Sequence, residues 1–193
     1  TRKRLGTYWW NALYQQRPSP PEGGIFKRHW WRYYRAPPAR FDEVIQSWDM
    51  AFKDTKESSY VVGQVWGRRG ADKYLLAQVR AKMDFPTTIQ AVRSFSAKWP
   101  QAVTKLVEDK ANGPAVIATL KREIAGLIAV TPKGSKEARA HAVSPQVEAG
   151  NVFLPDPSIA PWVHDFVEEC AAFPHGTYDD QVDAMSQALA RLE

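Results

Sequence analysis

The sequence predicts a mixed α/β fold, in which a central sheet carries helices on its faces. Three segments rich in β-branched and aromatic residues come first, joined by short polar connections that suit hairpins. Helical and extended segments then alternate towards the end of the chain. Hydrophobic residues make up 44% of the 193 residues, which is enough to bury the core of one such domain.

The predicted strands are short apolar segments with a high content of valine, leucine, tyrosine and tryptophan. They cover 44–50, 60–66, 74–79, 102–107, 127–130 and 152–154. The predicted helices are bounded by proline, asparagine or glycine. They cover 86–99, 114–123 (capped by Asn112), 135–150, 160–172 and 181–192. A right-handed crossover would place the strand at 102–107 parallel to, and in the same sheet as, the strand at 44–50.

Positive charge is concentrated in residues 1–40, which hold nine lysines and arginines against one acid, Glu22. This segment is rich in proline and contains tryptophan doublets at 9–10 and 30–31. We therefore predict a linker there and one globular domain over residues 41–193. Its aromatic residues could stack on nucleic acid bases. A neighbouring protein domain is the favoured contact, because duplex DNA offers no free base faces.

Composition argues against several classes of protein. No segment approaches the roughly 20 apolar residues that a membrane helix needs, and the start does not resemble a signal peptide. Cys170 is the single cysteine and cannot form an internal disulfide, which indicates a reducing cytoplasm. The scarcity of cysteine and histidine argues against a structural zinc site. The P-loop pattern of ATP-binding proteins is absent from the sequence.

Acidic residues lie at three places where a predicted strand ends or a helix begins. They are Asp49, Asp109 and the pair Asp179-Asp180, with Asp183 one helical turn beyond Asp179. Carboxylates without histidine or cysteine favour hard divalent cations such as Mg²⁺. Glu108 precedes Asp109, and we favour Asp109 as the ligand, with Glu108 on the opposite face. Each acid, taken alone, is also compatible with an ordinary turn or helix-end residue.

If the three sites converge, two divalent ions about 3.5–4 Å apart could share Asp49 and stabilise both oxygens of phosphodiester hydrolysis. A second candidate site is basic. Lys133, Lys136 and Arg139 lie at the start of a predicted helix, where cations and backbone N–H groups suit a phosphate. A solvated helix face is the alternative interpretation. Together these patterns predict a metal-dependent nuclease that binds DNA.

Motifs along nearly the whole chain resemble the C-terminal nuclease domain of the large terminase subunit of tailed bacteriophages. In order, they are YQQRP at 14–18, GGIFK at 23–27, QSWD at 46–49, VEDKANG at 107–113, the basic stretch at 132–139, GNVFLP at 150–155 and the acidic stretch at 173–184. The resemblance implies an RNase H-like fold. It also implies a Mg²⁺- or Mn²⁺-dependent endonuclease, with two ions per site, that cuts double-stranded viral DNA during genome packaging.

The resemblance assigns roles to particular residues of this chain. Asp49, Asp109 and Asp180 match the catalytic acids, with Asp49 bridging both metals. Asp179 matches an auxiliary metal ligand, and Asp183 matches a frequent family acid that we include among the metal ligands. The DNA-binding residues would be Lys133, Lys136 and Arg139. Ser59 stands where many relatives have an acid, so Asp54 or Glu57 could substitute as a further ligand.

Partners and location follow from the same resemblance. An ATPase domain would precede the linker at residues 1–40, and double-stranded DNA, a portal protein and a small terminase subunit would be partners. The protein would work in the host cytoplasm and transiently at the portal vertex of the procapsid, with no membrane contact and no secretion. Two alternatives stay open, namely a resolvase or transposase-type enzyme on the same fold and a non-catalytic DNA-docking module.

Overall fold

A computed structural model describes residues 24–50 and 60–193, and a seven-stranded sheet lies at its centre. The strands are β1 (Arg32–Tyr34), β2 (Glu43–Asp49), β3 (Tyr60–Arg69), β4 (Asp72–Lys82), β5 (Thr104–Glu108), β6 (Leu127–Val130) and β7 (Val152–Pro155). Their spatial order is β1-β7-β4-β3-β2-β5-β6. Strand β3 runs antiparallel to both of its neighbours, whereas every other pair is parallel. The predicted mixed α/β sheet is confirmed.

Within these residues, five α-helices cover the sheet. They are α1 (Phe85–Lys98), α2 (Gly113–Leu120), α3 (Lys136–Glu148), α4 (Val163–Ala172) and α5 (Asp180–Arg191). The side chains of Asp84 and Ser135 cap α1 and α3 by accepting hydrogen bonds from first-turn N–H groups. The predicted side-chain cap of α2 is wrong, since the Asn112 side chain makes no such bond and only its backbone carbonyl accepts, from Val116. No helix in the described part of the chain is long and apolar enough to cross a membrane.

Apolar cores lie on both faces of the sheet. On one face, Ile45 and Leu106 pack against α3, α4 and α5. On the other face, Trp48 and Val107 pack against α1 and α2. Because successive residues of a strand point to opposite faces, Asp49 at the end of β2 projects to the same face as Ile45, towards α5.

The central pairing of β2 with β5 places the ends of two strands side by side. The two strands are parallel, as predicted, and Trp48 is opposite Val107. Continuing that register by one residue brings Asp49 beside Glu108 at the carboxyl edge of the sheet. Acidic side chains from separate strands therefore meet at one edge.

The linker prediction is corrected for the stretch just before residue 35. Strand β1 pairs in parallel with β7, and the Trp31 ring packs edge-to-face against Phe166 at 5.7 Å. Trp30 is partly buried against the same core, so neither tryptophan is reserved for another domain. The apolar and aromatic side chains here are buried in the main core, which outweighs the disordering effect of the nearby prolines. Residues 1–23, including the rest of the predicted linker, lie outside the described part.

Candidate active site

Five carboxylates gather where β2 and β5 end and α5 begins. This acid cluster consists of Asp49, Glu108, Asp179, Asp180 and Asp183. Asp49 is 2% exposed and Asp180 is 4% exposed, whereas Asp179 and Glu108 are partly open to solvent. The cluster joins three of the sequence-predicted acids from opposite ends of the chain.

Helix α5 is fixed against β2 by buried polar contacts, and these hold its acidic first turn beside Asp49. The Ser47 hydroxyl donates a hydrogen bond to the Ala184 carbonyl at 2.7 Å. Gln187 donates from Nε2 to Ser47 Oγ at 3.0 Å and to the Trp48 carbonyl at 3.3 Å. The acids therefore sit on two regular elements that are fixed to each other.

Burial raises the pKa of Asp49 well above its usual range, and the negative charges of Asp183, Asp180 and Glu108 raise it further. Burial also raises the pKa of Asp180 to about 6, with Asp179 adding to the shift and Lys136 opposing it. Oδ2 of Asp49 is buried and has no hydrogen-bond partner among the described residues. The arrangement therefore concentrates negative charge that it does not neutralise.

Lys136 supplies the main positive charge inside the cluster. Its Nζ lies 2.9 Å from Asp179 Oδ2 and 2.7 Å from Asp183 Oδ2. Burial opposes the charged form of this lysine, but the hydrogen bonds and charges of both aspartates outweigh burial and raise the pKa of Lys136. The predicted DNA contact by Lys136 is corrected accordingly: its ammonium points into the acid cluster.

The second strand acid that faces the cluster is Glu108, and the prediction of Asp109 is corrected on pleat phase. Glu108 follows Leu106 to the face of α5, and its charge acts on both Asp49 and Asp183. Asp109 is exposed, and its backbone N–H continues the pairing with β6 by donating to the Val130 carbonyl. The alternation of a strand thus gives the inward position to Glu108.

The donor set suits a hard divalent cation. Within residues 24–50 and 60–193, no three His, Cys, Asp or Glu side chains converge tightly enough to form a ready-made metal cage. The chemistry of the site fits such an ion nevertheless, because the donors are carboxylate oxygens and one buried oxygen of Asp49 is unpartnered in this part of the chain. Lys136 bridges two of the carboxylates and so neutralises part of the charge that a cation would neutralise. Asp54, Glu57 and Ser59 lie outside the described residues.

A cleft of about 450 Å³ opens beside the cluster, between the ends of β5 and β6 and helices α3 and α5. Glu108 and Asp183 lie on one side of it, and the predicted DNA-binding residues Lys133 and Arg139 also line it. Lys133 is exposed, and Arg139 donates a hydrogen bond to the Gly134 carbonyl at 2.8 Å. The cleft therefore presents carboxylates and cations to the same space.

The raised pKa values predict how the metal-free protein responds to pH. An acid whose folded pKa exceeds its unfolded pKa binds more protons in the folded state, so its contribution to stability is lost as pH rises through the folded value. Burial places Asp180 at a pKa of about 6 and Glu169 at about 7, from ordinary values of 3.8 and 4.5. We expect the melting temperature in EDTA to fall between pH 4.5 and pH 7.5, by at least about 3 °C.

Differential scanning calorimetry of the wild type and Asp180→Asn across this range checks the prediction. The variant should lose part of the slope, and added Mg²⁺ should stabilise the wild type more at pH 7.5 than at pH 5, because metal competes with protons. A wild-type melting temperature that rises or stays level over the same range in EDTA would contradict the assignment.

Comparisons with known proteins place this geometry in context. Residues 46–192 match the family model described as the terminase RNaseH-like domain. No curated protein matches the chain significantly. The matched residues span β2 to α5 and so contain the whole acid cluster.

Several solved structures share the fold. A full-length large terminase from a thermophilic bacteriophage is 12% identical, with a TM-score of 0.63 over 86% of this chain and 44% of that chain. The large terminase nuclease of the thermophilic phage G20c with bound magnesium is 16% identical, with a TM-score of 0.61 over 84% of this chain and 92% of that chain. The same nuclease with bound zinc gives 17% identity and a TM-score of 0.60, over 78% of this chain and 82% of that chain.

These similarities confirm the predicted RNase H-like fold, with its mixed sheet between helical layers. The chain spans less than half the length of the first of these large terminases but most of the length of the G20c nuclease. It therefore corresponds in extent to a terminase nuclease domain.

Proposed function

The chain belongs to the terminase RNaseH-like domain family, and on that premise we propose that it is a divalent-metal-dependent endonuclease that cuts double-stranded DNA during viral genome packaging. The observation that carries the proposal is the acid cluster around the buried Oδ2 of Asp49, which has no partner among the described residues. A fold without a catalytic purpose at this edge would gain stability by replacing such a carboxylate with an apolar residue.

Asp49, Asp180 and Glu108 are the proposed holders of the metal ions, with Asp179 and Asp183 as further acids at the same edge. Bound Mg²⁺ or Mn²⁺, in the proposed number of two, activates water and neutralises charge on the leaving 3′ oxygen. Asp49 keeps its carboxylate fixed at the end of β2 and shielded from solvent, because it is 2% exposed. The ammonium of Lys136 restrains the two neighbouring aspartates of α5. Regular elements thus orient the oxygens before any ligand binds.

DNA is the proposed substrate because cations line the cleft that the acids share. Lys133 and Arg139 lie on the α3 side of the cleft, where their charges can contact the phosphate backbone and position it without reading sequence. Such contacts predict binding that weakens as salt increases. Lys136 contributes to the acid cluster first and is not needed for this grip.

The wider setting of the chain is also a proposal. The longer phage protein that shares the fold is a large terminase, solved also in complex with ADP. We accordingly propose an ATPase domain as the neighbour of residues 1–23. A portal protein and a small terminase subunit are proposed as further partners, with the host cytoplasm and the portal vertex of the procapsid as the place of action.

Cleavage of supercoiled plasmid tests the proposed activity. The purified chain should nick and linearise the plasmid in Mg²⁺ or Mn²⁺ and leave it intact in EDTA. Products should carry scattered ends, because backbone contacts supply little sequence preference. Plasmid that stays intact in both metals but shifts in a gel in a salt-dependent way would instead support the DNA-docking module. Strand joining or selective cutting of branched DNA would support a resolvase or transposase-type enzyme.

A further inference from the structure

We propose that Glu169 is a positioning residue for the acid cluster. It takes over the capping of helix α5 and thereby leaves the carboxylates of Asp179 and Asp180 free to face a cation. This inference rests on the proposed function for its purpose, but its structural part stands on hydrogen bonds within the described residues.

Helix α5 begins without the cap that its sequence would supply. Asp179 occupies the N-cap position, yet its side chain makes no capping hydrogen bond, because its carboxylate is directed at Lys136. The backbone N–H of Val182 instead donates to Glu169 Oε2 at 2.9 Å. Glu169 lies on α4, is 8% exposed and comes from outside the helix that it caps. An aspartate at the N-cap normally accepts this bond itself.

Glu169 is also the end of a chain of buried amide hydrogen bonds, here called the glutamine relay. It starts at the Trp66 indole and runs through Gln64, Gln78 and Gln181 to Glu169. Trp66 Nε1 donates to Gln64 Oε1 at 2.8 Å, and Gln64 Nε2 donates to Gln78 Oε1 at 2.9 Å. Gln78 Nε2 donates to Gln181 Oε1 at 2.8 Å, and Gln181 Nε2 donates to Glu169 Oε1 at 2.8 Å.

The two ends fix the direction of the glutamine relay. An indole N–H can only donate, and an ionised carboxylate can only accept. If the amides reversed, the Gln64 amide would direct its N–H₂ group towards the Trp66 donor. Gln64 Nε2 would also lose its bond to the Gln181 carbonyl, which now measures 3.2 Å. Because every amide is held in one orientation, the relay ties β3, β4 and α4 to the first turn of α5.

The position of this first turn matters for the acid cluster. Asp179 and Asp180 immediately precede Gln181, so the relay grips the chain next to the acids without contacting their carboxylates. Partners of this kind orient groups that hold a metal, and their loss typically lowers metal affinity or activity about 10–100-fold. Glu169 would act through the acids and would not itself touch DNA.

Glu169→Gln tests the proposal, with Glu168→Gln as the matched control. The variant keeps the size of the side chain but presents an amide N–H₂ group to donors that need an acceptor. The control removes the neighbouring carboxylate of α4, whose ion pair is with Arg28 at 3.0 Å, and leaves the glutamine relay intact. Two readouts that do not depend on cleavage are Mn²⁺ affinity by isothermal titration calorimetry and hydrogen exchange of the Val182 amide by NMR.

We expect Glu169→Gln to weaken Mn²⁺ binding at least about 10-fold and to speed exchange at Val182, while Glu168→Gln changes neither. In cleavage, kcat should fall about 10-fold or more with the KM for plasmid within about 2-fold, since no DNA contact is removed. If Glu169→Gln fails to fold, Gln78→Met breaks the relay at a half-buried strand position and should shift the same readouts in the same direction.

The outcomes separate this inference from the proposed function. Weakened Mn²⁺ binding and faster Val182 exchange in Glu169→Gln, beside a wild type that never cleaves DNA, would support the positioning role and refute the nuclease. Active wild type with unchanged Mn²⁺ affinity and exchange in Glu169→Gln would overturn the positioning role alone. Absence of Mn²⁺ binding by the wild type would overturn it as well.

Discussion

Asp49→Asn is expected to lower metal-dependent DNA cleavage by at least about 10³-fold, because metal-held transition-state charge is worth several kcal/mol and each 1.36 kcal/mol is tenfold in rate. Asp49 is the most buried member of the acid cluster and lies beside Glu108, Asp180 and Asp183. The amide of asparagine keeps the shape of the side chain but removes the charge that would hold a cation. Plasmid cleavage at saturating Mn²⁺ gives the measurement.

The same variant should fold, and in EDTA it should be more stable than the wild type. Oδ2 of Asp49 makes no hydrogen bond among the described residues, so little native bonding is lost. Burial already disfavours the charged form of this carboxylate, and the nearby acids add repulsion. We expect the melting temperature in EDTA to rise by about 2–4 °C, the equivalent of about 1 kcal/mol for a domain of this size.

Asp84→Asn is the matched control for Asp49→Asn. Asp84 is an exposed aspartate that caps α1, on the opposite face of the sheet, and asparagine caps a helix about as well. This control should cleave at the wild-type rate. Equal cleavage by Asp49→Asn and the wild type, with both proteins folded, would remove Asp49 from the proposed machinery.

Glu108→Gln and Asp109→Asn form the second test, and they should give opposite results although the residues are adjacent. Glu108 projects to the face of Asp49 and Asp183, whereas Asp109 is exposed. We expect Glu108→Gln to lower kcat at least about 100-fold, since a proposed metal ligand is lost. Asp109→Asn should change kcat by less than about 3-fold, because a surface substitution away from the cluster has a small effect.

Single-turnover cleavage by the two variants, at matched Mn²⁺ concentration, checks this expectation. Each variant controls for the other, because both neutralise one acid at the same turn of the chain. The reverse order, with Asp109→Asn inactive and Glu108→Gln active, would return the ligand role to the residue that the sequence favours.

The choice between these two acids could not be made from the sequence, for a physical reason. Leu106 and Val107 are both buried, one in each core, because β5 lies between helical layers on both faces. A strand that is apolar on both sides shows no alternation, so its pleat phase is hidden. The pairing of Trp48 with Val107 in the parallel register is the information that decides it.

Other parts of the fold were open to prediction because they depend on local pattern. Strands β2 to β7 and helices α1 to α5 were predicted within a few residues, since their apolar periodicity and end residues are local signals. Strand β1 was not predicted, because three residues, Arg32–Tyr34, carry little pattern and the strand depends on pairing with β7. Its position shows how tertiary contacts can recruit a segment whose composition indicates a linker.

The glutamine relay also lay beyond sequence patterns. Gln64 and Gln78 interrupt otherwise apolar strands, which is a signal that something polar is buried there. Their partners Gln181 and Glu169 are on distant helices, and only the packed structure brings the four together. Lys136 illustrates the same limit, because its position at the start of a helix is equally compatible with a DNA contact and with an ion pair to Asp183.

A crystal structure of the chain grown or soaked in Mn²⁺, with data collected at the manganese absorption edge, tests the metal-centred account most directly. The account predicts two anomalous peaks at the carboxyl edge of the sheet, about 3.5–4 Å apart. Both should contact Asp49, with Glu108 and Asp180 completing the protein ligands and Asp109 in contact with neither. Peaks confined to other surface acids at saturating Mn²⁺, with none at Asp49, would contradict it.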